Sequence, residues 1–470
     1  MKKIYRYLII AFSSAALFSS CTKYLDLQPE DKLLENQVFS SAKNVNAYLN
    51  GLYVKLGGST LYGENLTLTI PDVLAQRYNI GASHIMFGYS QQRYTDGGVA
   101  AKMAEIWGNA YSLIFNINGF LANLDKAPGV LDSKTDSTSR GEALAMRASM
   151  HFDLLRLFGP MYSTADSTLQ SIPYNTQSAV TILPFLPANE VMNRIMADLS
   201  KAESLLSSDK TMNASKKYRF TFYSVKAMQA RVNLYRGNKA EALAAAMVLI
   251  QNSAKFPWVT LANMNDRANC DRIFSSEMIL GAYNADLYTT TGTQAKYFSS
   301  SLADNSILAP LDARLIAMFP ETTDFRYGFD QLWGKPATKN YKTFLKYADI
   351  EDKSKAYRNT IPMLKLSEMY YIAAECEPDP TTAIGYLNTV RYNRNLGTPV
   401  NAAQLTTEIT KEYQKEFFGE GQLFFYYKRN KFTTIPAGNS ATANYTMGTE
   451  ATMRVKYVVP IPTSETDPRK

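Results

Sequence analysis

Two stretches of helical periodicity limit what this chain can become. From Ala104 the apolar residues fall at Ile106, Ala110, Leu113, Ile117, Leu121 and Leu124, three and four apart, which places them on one stripe of a helix. Pro128-Gly129 lies beyond and predicts the stop. The segment "RGEALAMRASMHFDLLRLFG" repeats the pattern through Ala143, Met146, Met150, Leu154 and Leu157, and Gly159-Pro160 ends it. Alanines between the larger side chains let neighbouring helices approach closely. A strand, with its period of two, cannot gather such residues on one face, so the core must be built by packing helices.

More helices follow. A passage with "LPFLP" leads to Asn189, read as an N-cap, and then to Val191, Ile195, Leu199, Ala202 and Leu205. The stretch "TFYSVKAMQARVNLYRGNKAEALAAAMVLIQN" holds two helical patterns joined at Gly237, where a left-handed cap is required. That is the length of a tetratricopeptide-like unit. A second hairpin is predicted over "IPMLKLSEMYYIAAECEPDPTTAIGYLNTVRYNRN", with Pro378 and Pro380 at the turn. Residues 160–185 and about 255–345 read instead as long loops with short strands or helices. Their many Tyr, Phe and Trp residues argue for an ordered, loop-rich lobe.

The N-terminus carries Lys2, Lys3 and Arg6, then an apolar run from Leu8, then small residues up to Cys21. As a helix, Leu8 to Phe18 would rise roughly 16 Å, against a hydrocarbon core of about 30 Å. It is too short to span. A signal peptide over 1–20 with lipidation at Cys21 is the expectation; a plain cleaved signal is the alternative. The usual lipoprotein pattern has Leu three residues before the cysteine, where this chain has Phe18, with Leu17 one place earlier. No later segment approaches eighteen consecutive apolar residues.

Several chemistries lack their residues. The formal charge is +8, but no block of five or six like charges suggests a nucleic-acid arm. His84 and His151 are the only histidines; His151 reads as a core or interhelical residue, and His84 has no second histidine with which to share a metal. There is no Walker loop, no dinucleotide fingerprint and no nucleophile elbow. No catalytic residue, metal or cofactor is expected. Cys270 and Cys376 read as two separate small core residues. The loops offer aromatic and amide surface instead. Asp72, Arg77, Tyr78, Tyr89, Tyr94 and Trp107 are the expected ligand contacts, with Tyr288, Tyr297 and Trp333 from the central loops as a second tier. Rings can stack on the apolar face of a sugar or clamp a peptide, and amide or guanidinium donors can fix its orientation. The competing reading packs these rings against the helices beneath them.

In order along the chain, "CTKYLDLQPEDKL", "IWGNAYSLIFNINGFL", "RGEALAMRASMHFDLLRLFGP", "YSVKAMQARVNLYRGNKAEA", "LDARL", "IPMLKLSEMYYIAAE" and "ITKEYQKEFFGEGQLFFYYKRN" resemble the motifs of the SusD/RagB family of surface lipoproteins. The match to its Glu-x-x-x-Glu and Glu-Gly pattern runs through Glu412, Glu416, Glu420 and Gly421, and "VVPIP" resembles its closing Pro-Ile-Pro. The family often has Arg where this chain has Tyr413 and Gln422, Asp where it has Tyr426, and Trp where it has Asn430; these changes read as divergence in local pairing.

The resemblance implies a mostly α fold, with about four tetratricopeptide-like helix pairs under a loop-rich lobe. An N-terminal region over 21–235 and a C-terminal region over 236–470 would intertwine in one body. It also implies attachment to the outer membrane, facing the exterior, and a SusC-type TonB-dependent barrel as partner. The ligand would be an oligosaccharide, or a peptide as in the RagB branch, bound without catalysis. A lipid-anchored hydrolase using a carboxylate pair is the third reading, although no pair stands out.

Overall fold

The alanine-spaced stretches form two long helices, α3 (Gly97–Lys126) and α4 (Ser133–Phe158). The structure is a computed structural model and describes residues 39–328 and 330–469; the leader over 1–20 and the lipidation expected at Cys21 lie outside the described residues. Asp132 caps α4 by accepting from the Lys134 and Thr135 amides, and the helix ends at Gly159. Its second half is buried on every side, because α3 and α5 (Ala188–Leu206) both pack on it. A Cβ at Gly141 would sit 2.7 Å from Leu206 Cγ, which is why that helix crossing needs a glycine.

The remaining helices continue the stacking. Helix α6 (Phe222–Tyr235) turns into α7 (Lys239–Ile250) through Gly237 at φ +85°, the left-handed position read from the sequence. Helices α9 (Leu366–Cys376) and α10 (Pro380–Tyr392) follow, with the Asp379 side chain capping α10 and Pro380 in its first turn, where a missing N–H costs nothing. Each helix packs on the next: α3 on α4, then α5, α6, α7, α9, α10 and α11 (Leu405–Glu416). That is the nearest-neighbour order of a helical repeat array. One boundary differs from the sequence reading. Pro187 holds an extended backbone at ψ 143°, so α5 starts directly after it and Asn189 lies inside the first turn instead of capping it.

Over this scaffold lie α1 (Ala42–Leu56), α2 (Ile70–Leu74), α8 (Asp312–Met318) and α12 (Leu423–Arg429), with three small antiparallel sheets. The longest pairs β1 (Met278–Tyr283) with β4 (Thr360–Lys365), and β4 is buried throughout and runs straight into α9.

A buried ion network fastens lobe to scaffold. Glu412 and Glu416, one turn apart on α11, meet Arg326 Nη1 at 2.8 and 3.1 Å, while Arg394 bridges Glu416 and Glu277, each at 2.7 Å. Lys365 reaches Glu416 at 3.0 Å and Glu420 at 2.8 Å, and Lys346 also pairs with Glu420. Burial alone would neutralise these carboxyls. The adjoining Arg326 guanidinium holds Glu412 down at about 2, and Arg394 with Lys365 holds Glu416 well below the usual range.

Contacts also cross between the expected regions 21–235 and 236–470. Asp72 accepts from the amides of Gly419 (2.5 Å) and Gly421 (3.2 Å), Arg156 donates to Gln422 (3.0 Å), and Lys428 donates to the carbonyls of Arg156 and Gly159.

Candidate functional site

Six of the nine expected ligand contacts, Asp72, Arg77, Tyr78, Tyr94, Trp107 and Trp333, are buried in the fold. Asp72 is 0% exposed and is spent on Gly419 and Gly421; burial pushes its carboxyl up to about 7. Arg77 stacks over Phe418 at 4.7 Å and donates to the carbonyls of Gln414 and Tyr413. The hydroxyl of Tyr78 donates to Leu68 O (2.9 Å) and that of Tyr94 to Lys456 O (2.7 Å). Trp107 lies edge-on to Phe158 at 5.0 Å. Trp333 lies edge-on to Phe418 at 4.8 Å and donates from Nε1 to Arg326 O at 2.7 Å. Trp107 is buried as part of the long helix α3; for the five in the lobe the physical reason is common. A lobe with few long helices has no aliphatic stripes to bury, so its rings supply the core and its polar groups satisfy loop backbone.

The other three remain half-buried, and two of them, Tyr89 and Tyr297, lie within electrostatic range of each other. Tyr89 sits on a helical turn, Phe87–Ser90, and donates to Gly98 O at 3.1 Å. Tyr297 ends the short helix Thr293–Tyr297 and hydrogen-bonds Glu64, within electrostatic reach of Tyr89 and of Glu105. Glu64 is buried, accepts from Thr293 Oγ1 at 3.0 Å, and is raised by burial against the opposing pull of Thr293, Lys296 and Lys102. Lys102 and Glu105 pair at 2.6 Å on the first turns of α3. The Tyr297 ring therefore stands beside a buried carboxylate, with Tyr89 and the Lys102–Glu105 pair within electrostatic range of it. That arrangement offers stacking surface plus donors and acceptors for hydroxyl groups. Sequence reasoning missed Glu64, Thr293, Lys102 and Glu105, which no shared spacing connects.

Tyr288 stands elsewhere, with the Arg358 guanidinium 5.1 Å over its ring and Arg358 fixed by two bonds to Asp349. It lines a narrow cleft with Arg272 and Tyr357. Tyr357 also borders a cavity of about 340 Å³ with Lys217, Tyr218 and Lys255, a ring-and-cation lining that the sequence did not mark.

The histidines are structural. His151 stacks on Tyr174 at 3.9 Å, accepts from the Asn175 amide at 3.0 Å, and is pushed by burial down to about 3. His84 accepts from the Met86 amide and its Nε2 faces Ile307 O. Cys270 and Cys376 are buried and unpaired, as read, with thiols pushed by burial up to about 12. Among the described residues no group of three His, Cys, Asp or Glu is placed to hold a metal.

Two family models match the chain. One, SusD-like and described as starch-binding and associating with the outer membrane, covers residues 23–234; the other, of the SusD family, covers 318–469. The chain is similar to SusD-like protein P38 of Formosa agariphila, 30% identical over 156 residues, which are 33% of this chain and 27% of that protein. It is also similar to SusD-like protein P25 of the same organism, 21% identical over 83% of this chain and 81% of the relative. The matches to P38 and to SusD-like protein P2 span 27% and 44% of those relatives' lengths. Among solved structures, a SusD superfamily protein from Bacteroides thetaiotaomicron superposes with a TM-score of 0.75, at 21% identity, over 91% of this chain and 98% of the other. A putative sugar binding protein from Bacteroides vulgatus gives 0.73 at 22% identity over 91% and 96%. At such identities the likeness shows the fold alone.

Proposed function

The chain belongs to the SusD family, and from that membership we propose that it captures an oligosaccharide at the cell surface and passes it to a SusC-type TonB-dependent outer-membrane transporter. The observation that carries this reading is the Tyr89–Tyr297 face, where the half-buried Tyr297 stands beside Glu64 with half-buried Tyr89 in electrostatic range. Sugar rings present apolar C–H faces to such rings and hydroxyls to partly exposed polar groups such as the Lys102–Glu105 pair. The description of the matching family model as starch-binding, and the sugar-binding title of a structural neighbour, support the ligand class.

Attachment through Cys21 belongs to the same proposal. Among the described residues no helix is long and apolar enough to cross a membrane; the tether proposed is an acyl group on Cys21. Tethering keeps a lid near its barrel at high effective concentration. Holding and release need no bond to be broken.

The test is a glycan array followed by calorimetry on the protein and on a Tyr89→Ala/Tyr297→Ala variant. Binding to one glycan class, weakened at least tenfold in the variant with the melting temperature kept, is the expected result. Capture of peptides with no glycan signal would move the ligand to the peptide branch, and turnover of a bound oligosaccharide would make the protein a hydrolase.

A further inference from the structure

Arg77 and Arg314 line one cavity of about 70 Å³, together with Gln76, Gln414, Met318 and Tyr427. Neither guanidinium has a carboxylate within ion-pair distance among the described residues; both are instead spent on carbonyl oxygens. Arg77 donates to Gln414 O and Tyr413 O, and Arg314 donates from Nε to Ala437 O and Ser440 O and from Nη2 to Ala443 O. Arg77 is 3% exposed, yet its Nε has no hydrogen-bond partner. A buried, unpartnered donor in a native fold calls for an explanation, and an ion from outside the chain is one. Both guanidinium groups line the same small cavity, so an anion seated there would face two positive charges at once. The nearest acid to Arg77, Asp72, has its oxygens committed to Gly419 and Gly421.

We propose that this cavity receives a small oxyanion, the carboxylate or sulfate group of an acidic ligand or the free ion. The volume exceeds what a single water needs and suits one such group, and planar guanidinium forks match the geometry of carboxylate and sulfate oxygens. The site is distinct from the Tyr89–Tyr297 face. Either can fail without the other.

The test is thermal unfolding of the mature protein at constant ionic strength, with sodium sulfate, sodium glucuronate or glucose as probe. Sulfate or glucuronate should raise the melting temperature saturably, and glucose should leave the cavity's response unchanged. Tighter glucuronate binding would identify an acidic sugar, and tighter sulfate binding a free ion or sulfate ester. Arg314→Gln should weaken the ion at least tenfold, with Arg314→Lys recovering part of the loss. Because Arg314 also supports a hairpin, Ala317→Glu at the exposed rim gives an independent arm: its carboxylate should fill the cavity and abolish the response. No saturable response in the unaltered protein, or an unchanged response in both Arg314→Gln and Ala317→Glu, overturns the proposal.

Discussion

Tyr413 and Tyr426 stack 4.2 Å apart at 25°, both nearly out of contact with solvent. The resemblance to the family motif implies Arg at the first position and Asp at the second, so a ring pair stands where that motif has opposite charges. The Tyr426 hydroxyl, 2.8 Å from Thr410 Oγ1, satisfies the remaining polar group. Tyr413→Arg or Tyr426→Asp alone should each cost about 2–4 kcal/mol, because each buries a charge beside Glu375 and Arg429, which already pair with each other. The double variant should recover at least about 1 kcal/mol of the sum as coupling. Urea unfolding of the four proteins reads this directly; strict additivity would show that the two positions do not substitute for a charge pair.

Glu416 accepts from Arg394, Lys365 and Ser367 and pairs with Arg326. Glu416→Leu should destabilise by roughly 3–5 kcal/mol, since it leaves buried cations without their shared carboxylate. A loss under about 1 kcal/mol in denaturant titration would mean that the network contributes geometry and little energy.

Acid should weaken the same network. Glu412 is held at about 2 in the folded chain, below the ordinary 4.5. A depressed carboxyl contributes stability that is present above the unfolded value and is lost as pH falls from about 4.5 towards 2. The contribution is about 3 kcal/mol, and Glu416 shifts in the same direction. Urea midpoints measured at pH 7, 4.5 and 3 should fall steeply below 4.5, and more shallowly in Glu412→Gln, which also starts from a lower value because Arg326 loses a partner.

Gly421 has φ +69°, and a Cβ there would lie 2.5 Å from Leu66 O and 2.9 Å from Thr67 Cα. Gly421→Ala should cost about 2–4 kcal/mol by forcing apart the segments that Asp72 joins. Equilibrium unfolding checks it, and a neutral result would mean that the Leu66–Thr67 backbone shifts to admit a methyl group at little cost.

Tyr297→Phe separates the two jobs of that residue. The ring stays for stacking while Glu64 loses a donor, so stability should drop by about 1 kcal/mol and affinity for the bound glycan should fall less than in Tyr297→Ala. Equal affinity loss in both variants would place the hydroxyl, and not the ring, on the ligand.

The helices were readable because their causes are local. Spacing, alanines, Gly237, Pro380 and the stop after Phe158 act within a few residues, and the family motifs lie on those same segments. Asn189 failed as a cap through a neighbouring proline. The ligand face was readable only in residue type. Tyr78 and Tyr89 lie eleven residues apart in one aromatic loop, yet one is 1% exposed against Phe418 and the other remains half-buried at the surface.

What the sequence by itself determined was therefore the helical array and its order. Whether a given Tyr, Trp or Asp faces ligand or core was decided only by tertiary structure. Asp72 is buried because two amides 347 and 349 residues later close on it, and Tyr297 meets Glu64 across more than two hundred residues. Helix periodicity is written into neighbours along the chain, whereas the burial of a loop side chain depends on partners that only folding brings near.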